Sequence, residues 1–180
     1  VLNKFCCFCI YRSHTKQKDD VTDVPLEMAE MLDLQNDDVY LSILMRGQKS
    51  SNPPLLVVHG GPGASSLPFR ATSAFSTLEK YFCVIYYDQR STLKSGYKNI
   101  QQKGKNSKHF WKTVTIPQHV KDIIFITKYV RRRFNVNRVH LYGGSWGTII
   151  AQLAVRDFSE YFASLTLRGV VVDNVKNEKI

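Results

Sequence analysis

The segment Gly143-Gly144-Ser145-Trp146-Gly147 constrains the fold more than any other part of this sequence. Residues 139–142 before it form an apolar run typical of a strand, and residues 148–154 after it form a run typical of a helix. Glycines in such a turn let a strand and a helix approach each other closely. A Gly-x-Ser-x-Gly turn in this context projects the serine hydroxyl above the end of a sheet. The pattern therefore predicts a strand, a tight turn and a helix, with the hydroxyl of Ser145 accessible.

The rest of the chain alternates short apolar runs with amphipathic segments. Strands are predicted at residues 39–45, 55–58, 83–87, 138–142 and 164–172, and helices at 67–81, 117–134 and 146–156. The basic stretch at residues 94–112 has no period of its own, and we expect a surface loop there. Strands separated by helices favour parallel pairing with helices on both faces of the sheet. The predicted fold class is α/β.

Residues 1–36 lack a sustained period apart from a possible short helix at 26–34, and we expect a disordered leader there. Residues 37–180 are then the core domain. The chain begins at Val1 and ends at Ile180 in a polar stretch, which indicates a piece of a longer protein. We therefore expect an incomplete core.

The net charge of +10 raises the question of a polyanionic partner. Its largest helical cluster, Arg131 to Arg133, falls in the last turn of a predicted helix, where cations interact favourably with the helix dipole. No nucleic-acid-binding motif and no interleaved aromatic pattern accompanies the charge. We therefore expect no nucleic-acid partner.

The four cysteines do not have the spacing of a disulfide framework, because Cys6, Cys7 and Cys9 crowd together and Cys83 stands alone in an apolar run. A reducing, cytoplasmic location fits this pattern. No run reaches the ~20 apolar residues of a spanning helix. Two alternatives remain for the leader: the end of a signal or membrane segment, or an acylated cysteine cluster beside basic residues.

The second motif is His59-Gly60-Gly61-Pro62-Gly63, directly after the predicted strand at residues 55–58. Its glycines and proline permit a tight loop with exposed backbone donors. In combination with the Ser145 turn, such a loop would supply one backbone N–H of an oxyanion hole, and Trp146, the residue after the serine, would supply the other.

These two motifs, with Asp88-Gln89-Arg90 between them, resemble the proline iminopeptidase family of serine α/β-hydrolases. The similarity runs over residues 39–172. It implies an α/β-hydrolase fold, Ser145 as the acylated nucleophile and Gly61 and Trp146 as the oxyanion donors. It also implies that residues 88–90 form a structural loop beside the site. Members of this family remove an amino-terminal residue, typically proline, from peptides, so the implied partner is a peptide with a free amino terminus.

The sequence departs from the family pattern after Arg90. The family continues with a glycine-rich turn, whereas this chain has Ser91-Thr92-Leu93. Residues with a side chain resist the positive φ angles that glycine adopts freely. We expect a different loop geometry there.

A general base for Ser145 is missing from the sequence. In an α/β-hydrolase the triad follows the order serine, acid, histidine. All five histidines precede Ser145 in the chain, and His59 has the position of a structural residue. Asp173 is a conceivable acid, although the family's acid comes later. The cap that recognises the substrate amine would also lie beyond Ile180, so we expect these 180 residues alone to be inactive.

Two further interpretations stay open. An esterase or lipase would use the same serine turn and oxyanion loop. A truncated chain without catalytic activity is favoured by the missing histidine and the altered turn after Arg90. No metal or cofactor is expected, because no ligand cluster, phosphate loop or dinucleotide fingerprint is present.

Overall fold

A computed structural model describes residues 30–36, 39–47, 51–103 and 107–172. Within them, six strands form one sheet in the order β1-β2-β4-β3-β5-β6. The strands are β1 (Glu30–Asn36), β2 (Val39–Arg46), β3 (Pro54–Val58), β4 (Cys83–Tyr87), β5 (Val139–Gly144) and β6 (Phe162–Arg168). The last four pair in parallel, and β1 and β2 add an antiparallel edge. The mostly parallel α/β sheet expected from the sequence is confirmed.

Over the part of the chain that the structure describes, six α-helices connect these strands. They are α1 (Leu67–Arg70), α2 (Ser73–Leu78), α3 (Leu93–Lys103), α4 (Ser107–Lys112), α5 (Ile116–Phe134) and α6 (Gly147–Asp157). One apolar cluster joins the sheet to α5 and α6, and a second joins its other face to Phe69 of α1 and to Phe75 and Leu78 of α2. Helices therefore cover both faces, as parallel strands that are buried on both sides require.

The parallel strands determine where the predicted motifs meet. β3 ends at Val58, β4 at Tyr87 and β5 at Gly144. Because the carboxyl ends of parallel strands lie at the same edge of a sheet, the three following segments come together there. That edge contains the residues after Val58, after Tyr87 and after Gly144.

The prediction for residues 26–34 was wrong over the part that the structure describes. Residues 30–34 belong to β1, which pairs antiparallel with β2 from Glu30 opposite Met45 to Asn36 opposite Val39. Alternate residues of β1 are half-buried, which is the period of a strand with one covered face. The sheet thus begins inside the range expected as a leader, and residues 1–29 lie outside the described residues.

The helix expected over residues 67–81 is two short helices. The first ends at Arg70, and Thr72 adopts an extended conformation with φ −96° and ψ 143°. The Thr72 side chain accepts a hydrogen bond from the backbone N–H of Phe75 and so caps the second helix. A local hydrogen bond from a threonine therefore interrupts the apolar helical period.

The loop expected at residues 94–112 was also wrong, because α3 and α4 lie there. The buried face of α3 is polar: Ser95 and Asn99 are fully buried. The Ser95 hydroxyl accepts from the backbone N–H of Ser42 at 2.8 Å, and the Asn99 side chain binds the N–H and the carbonyl of Tyr40 at 2.7 and 2.9 Å. These side chains satisfy the part of β2 that extends beyond its pairing with β4. Such a helix has no apolar period, because its buried positions are polar.

The turn after Arg90 contains a non-glycine residue with a positive φ angle. Leu93 adopts φ +37°, in the left-handed region that non-glycine residues avoid at a cost of roughly 1–2 kcal/mol. Its side chain is exposed, so no contact with the core compensates directly. The loop is held instead by the carboxylate of Asp88, which accepts from the N–H of Lys94 at the start of α3.

Candidate active site

Ser145 lies at the turn between β5 and α6. Its φ is +53°, and its side chain is exposed although both neighbours are buried. The N–H of Ser145 donates to the carbonyl of Arg168 on β6 at 2.8 Å. Its carbonyl accepts from both the N–H and the hydroxyl of Thr148 in α6, at 2.9 and 2.7 Å. The backbone on both sides of the hydroxyl is thereby fixed.

Two glycines allow the loop after β3 to approach this turn. A Cβ atom on Gly147 would lie 2.5 Å from the carbonyl oxygen of His59, and one on Gly60 would lie 2.8 Å from the Cβ of Ser145. Real Cβ atoms do not come so close to backbone atoms, so neither position accommodates a side chain without displacement of the loop. The two glycine motifs of the sequence are therefore parts of one contact.

The backbone donors of this contact are available to a ligand. Gly61 adopts φ +116°, and Trp146 directly precedes α6. Among the described residues, neither the N–H of Gly61 nor that of Trp146 donates to a protein acceptor. The amino-terminal end of α6 adds partial positive charge at the same place.

A pocket of about 330 Å³ opens beside Ser145. Three of its side chains were not predicted from the sequence: Phe69, Tyr142 and Arg168. Arg168 comes from the end of β6, next to the end of β5, so parallel pairing of these strands could have located it. Phe69 and Tyr142 pack edge to face with ring centroids 6.0 Å apart. The pocket combines apolar ring surface with one cation and the exposed hydroxyl.

His59 is fully buried, and both of its ring nitrogens are engaged in hydrogen bonds. Its Nε2 accepts from the N–H of Gln89 at 3.1 Å, so the ring proton is on Nδ1, which donates to the carbonyl of Gly60 at 3.0 Å. The Gln89 side chain also donates to the His59 carbonyl at 2.9 Å. Burial lowers the pKa of His59 to about 4. The imidazole therefore joins two loops as a neutral group.

The segment Asp88 to Arg90 follows β4 at the edge of the sheet where the Ser145 turn also lies. Arg90 is 2% exposed and forms a bidentate ion pair with Asp122 of α5, at 2.8 Å from Nε and 2.6 Å from Nη2. Its Nη1 donates to Thr113 at 2.8 Å. This pair links the loop after β4 to a long helix, and the sequence motif alone did not reveal its partner.

The described histidines do not complete a catalytic triad. His59 is engaged with backbone groups, His140 bonds to the hydroxyl of Ser164 at 2.7 Å, and His109 is exposed on α4. His119 packs its ring edge to face on Trp146, with centroids 5.6 Å apart. His14 and Asp173 lie outside the described residues.

His119 lies on α5 and is 3% exposed. Burial and the nearby Arg90 charge lower its pKa to about 4. The apolar stripe of α5 is thus wide enough to include this histidine, which packs beneath the residue that follows Ser145. No partner within the chain satisfies its Nδ1 among the described residues.

Acid should destabilise this protein through the two buried histidines. Both have a folded pKa near 4 against an ordinary value of about 6.5, so between these values the unfolded chain binds protons that the folded chain does not. Stability should therefore be retained above pH 6.5 and decrease as the pH falls toward 4, by about 2 kcal/mol per histidine at pH 5. Urea unfolding at pH 7 and pH 5 measures this loss. In His119→Gln the loss should be smaller, and an unchanged pH dependence in that variant would contradict the assignment.

Within the described residues, no helix is long and apolar enough to cross a membrane. Over the same ranges, no group of three or more histidine, cysteine or acidic side chains could hold a metal ion.

The sheet order, the serine turn and the glycine loop beside it define a class of protein. The chain belongs to the alpha/beta hydrolase fold family, whose sequence model matches residues 53–178. Its resemblance to aminopeptidases is likewise confirmed. Over 124 residues it is 31% identical to a probable aminopeptidase of Bacillus subtilis, YbaC, covering 69% of this chain and 36% of that protein. The chain spans about a third of the length of the curated relatives that it matches.

Solved structures agree on the fold. A proline iminopeptidase-related protein from Thermus thermophilus superposes with a TM-score of 0.55 at 22% identity, over 77% of this chain and 44% of that one. A carboxyl esterase from Bacillus coagulans superposes with a TM-score of 0.62 at 18% identity, over 77% and 43%. At these identities the similarity extends to the fold and does not distinguish between substrates.

Proposed function

We propose that this chain carries the nucleophile and oxyanion hole of a serine hydrolase that releases the amino-terminal residue of peptides. The observation that carries the proposal is the exposed hydroxyl of Ser145, on a turn with φ +53°, in a pocket formed with Gly60 and Gly61. A non-glycine residue in this conformation is characteristic of a strained functional turn.

In the proposed reaction, Oγ of Ser145 attacks the carbonyl carbon of the substrate while a base accepts the hydroxyl proton. The carbonyl oxygen gains negative charge, which the N–H groups of Gly61 and Trp146 and the start of α6 stabilise. The C–N bond then breaks, the leaving amine takes a proton, and an acyl-enzyme remains on Ser145. Water hydrolyses this ester and releases the amino acid.

The reaction needs a base that the described residues do not provide. Among the described histidines, His59 and His140 are engaged in hydrogen bonds and His119 is buried in the core. Without a base, a serine hydroxyl is a weak nucleophile. In the chain order of this fold the acid and the histidine come after the serine. We therefore place both after Ile180 in a longer chain, and we expect the 180 residues alone to be inactive.

Two lines of support favour peptide substrates over esters. The three motifs at His59, Asp88 and Gly143 occur in the order and context of proline iminopeptidases. The curated relatives are also named as aminopeptidases or proline iminopeptidases. The substrate amine would be recognised by a cap that, like the histidine, is contributed by a longer chain.

The test compares three chromogenic substrates on a chain that contains these residues together with the acid and the histidine. We expect prolyl p-nitroanilide to be hydrolysed and its N-acetylated form, which lacks the free amine, to be refused. Hydrolysis of p-nitrophenyl butyrate with refusal of the prolyl anilide would favour an esterase. Failure of a fluorophosphonate probe to label Ser145 in that longer chain would favour a non-catalytic protein.

A further inference from the structure

The exposed side of α5 forms a groove that the proposed hydrolase does not use. Two adjacent depressions of about 290 and 370 Å³ run along it and share Lys128. We call this surface the α5 groove. Its cations and its main apolar side chains are Lys121, Lys128, Arg131, Arg132, Ile124, Phe125, Phe158 and Tyr161.

The four cations of the α5 groove form no ion pair with a carboxylate of the described residues. Arg133, the next residue, differs because it pairs with Glu30 of β1. The end of the helix does not require the arginine side chains as caps either. The carbonyl of Arg131 accepts from the N–H of Val136, and that of Arg132 from the N–H of Asn135.

The aromatic rings of the α5 groove are arranged in a way that disfavours nucleic acid and a lipid bilayer as ligands. The ring of Tyr161 is covered by Arg131 at 4.5 Å and by Lys128 at 5.7 Å, and it stacks parallel to Phe158. Its faces are therefore not free for nucleic-acid bases, which bind single-strand proteins by stacking on rings. A bilayer is also a poor fit, because the surface is concave and its rings are half-buried, whereas a membrane-binding face presents protruding apolar groups.

We propose that the α5 groove binds an acidic polypeptide segment that also carries apolar side chains. The carboxylates pair with Arg131, Arg132 and Lys128, and an apolar side chain enters the depression above Phe125 and Phe158. In α5, Lys128 and Arg132 are four residues apart, or about 6 Å along the axis. Alternate residues of an extended peptide are about 6.6 Å apart, so two carboxylates on one side of the peptide match these two cations.

This surface is separate from the candidate active site. The groove continues to the end of α5, which leads into the beginning of β5, whereas Ser145 follows the other end of that strand. Six residues of strand span about 20 Å. A ligand bound in the α5 groove should therefore leave the Ser145 pocket open. Binding to the groove can be tested without a measurement of hydrolase activity.

The test measures fluorescence anisotropy of a labelled peptide in which glutamates alternate with leucines. We expect Arg131→Gln combined with Arg132→Gln to weaken binding about tenfold at low salt, since each lost charge pair contributes a few-fold. Lys80→Gln combined with Lys108→Gln removes the same charge from exposed positions outside the groove and should have little effect. Phe158→Ser, which keeps the charge, should also weaken binding.

Three results would overturn the proposal. Equal losses in the two double variants would indicate a non-specific charge effect. In a second result, the peptide fails to bind, while single-stranded RNA or phosphatidylserine vesicles bind and lose affinity in the arginine double variant. That result would assign the groove to a different polyanion. Peptide binding that appears only after Asp19, Asp20 and Asp23 are changed to asparagine would assign it to the chain's own acidic stretch.

Discussion

Ser145→Ala is expected to lower kcat/KM on prolyl p-nitroanilide by about 10⁴-fold or more in a chain that contains the complete triad. The variant removes the oxygen that would form the acyl-enzyme and leaves the rest of the pocket in place. Activity above the uncatalysed rate should remain only to the extent that the oxyanion donors and binding contribute by themselves. The measurement is the initial rate of anilide release at matched protein concentrations.

Ser164→Ala is the matched control for this prediction. Ser164 is also exposed, lies on β6 and bonds to His140, so the variant removes an equivalent hydroxyl away from the pocket. Its activity should be unchanged. If Ser145→Ala retained more than about a tenth of the activity, Ser145 would not be the nucleophile.

Asp122→Ala is expected to destabilise the protein by about 3–5 kcal/mol. Asp122 is fully buried and is bonded to two nitrogens of Arg90, which is itself 2% exposed. Loss of the carboxylate leaves a guanidinium charge in the interior, where an unpaired charge is costly. The measurement is the midpoint and slope of urea unfolding, read by circular dichroism.

The double variant Arg90→Met with Asp122→Leu distinguishes the cost of an unpaired buried charge from the cost of lost packing. Removing both charges together should restore most of the stability, because an apolar pair can replace a buried ion pair at little cost. Asp157→Ala breaks the exposed pair between Arg156 and Asp157 and should leave the midpoint unchanged within error. A double variant as unstable as Asp122→Ala would show that the effect comes from packing around the helix.

The sequence was sufficient for the parts of the fold that depend on local chemistry. Apolar runs placed β2 to β5 within one or two residues, and the stripe of α5 was found because apolar residues recur at its buried positions. The Gly-x-Ser-x-Gly turn required no tertiary information either, since the glycines and the flanking strand and helix are local. Ser145 was accordingly found at the expected turn.

The helix α3 and the partner of Arg90 were missed because burial is polar in the first case and the pairing is distant in the second. The helix α3 buries Ser95 and Asn99, which satisfy the backbone of β2, so no apolar period marks it. Similarly, the partner of Arg90 could not be read from the motif, because Asp122 is 32 residues away and the two meet only in the folded chain.

The α/β class, the position of the serine turn and the location of all five histidines of residues 1–180 before it could be read from the sequence. Each of these follows from residue type or from spacing along the chain. The folded chain was needed to show which loops His59 joins, that His119 packs on the ring of Trp146 and that Arg168 lines the pocket. These roles depend on which strand ends lie side by side, because parallel pairing brings together residues that are far apart in sequence.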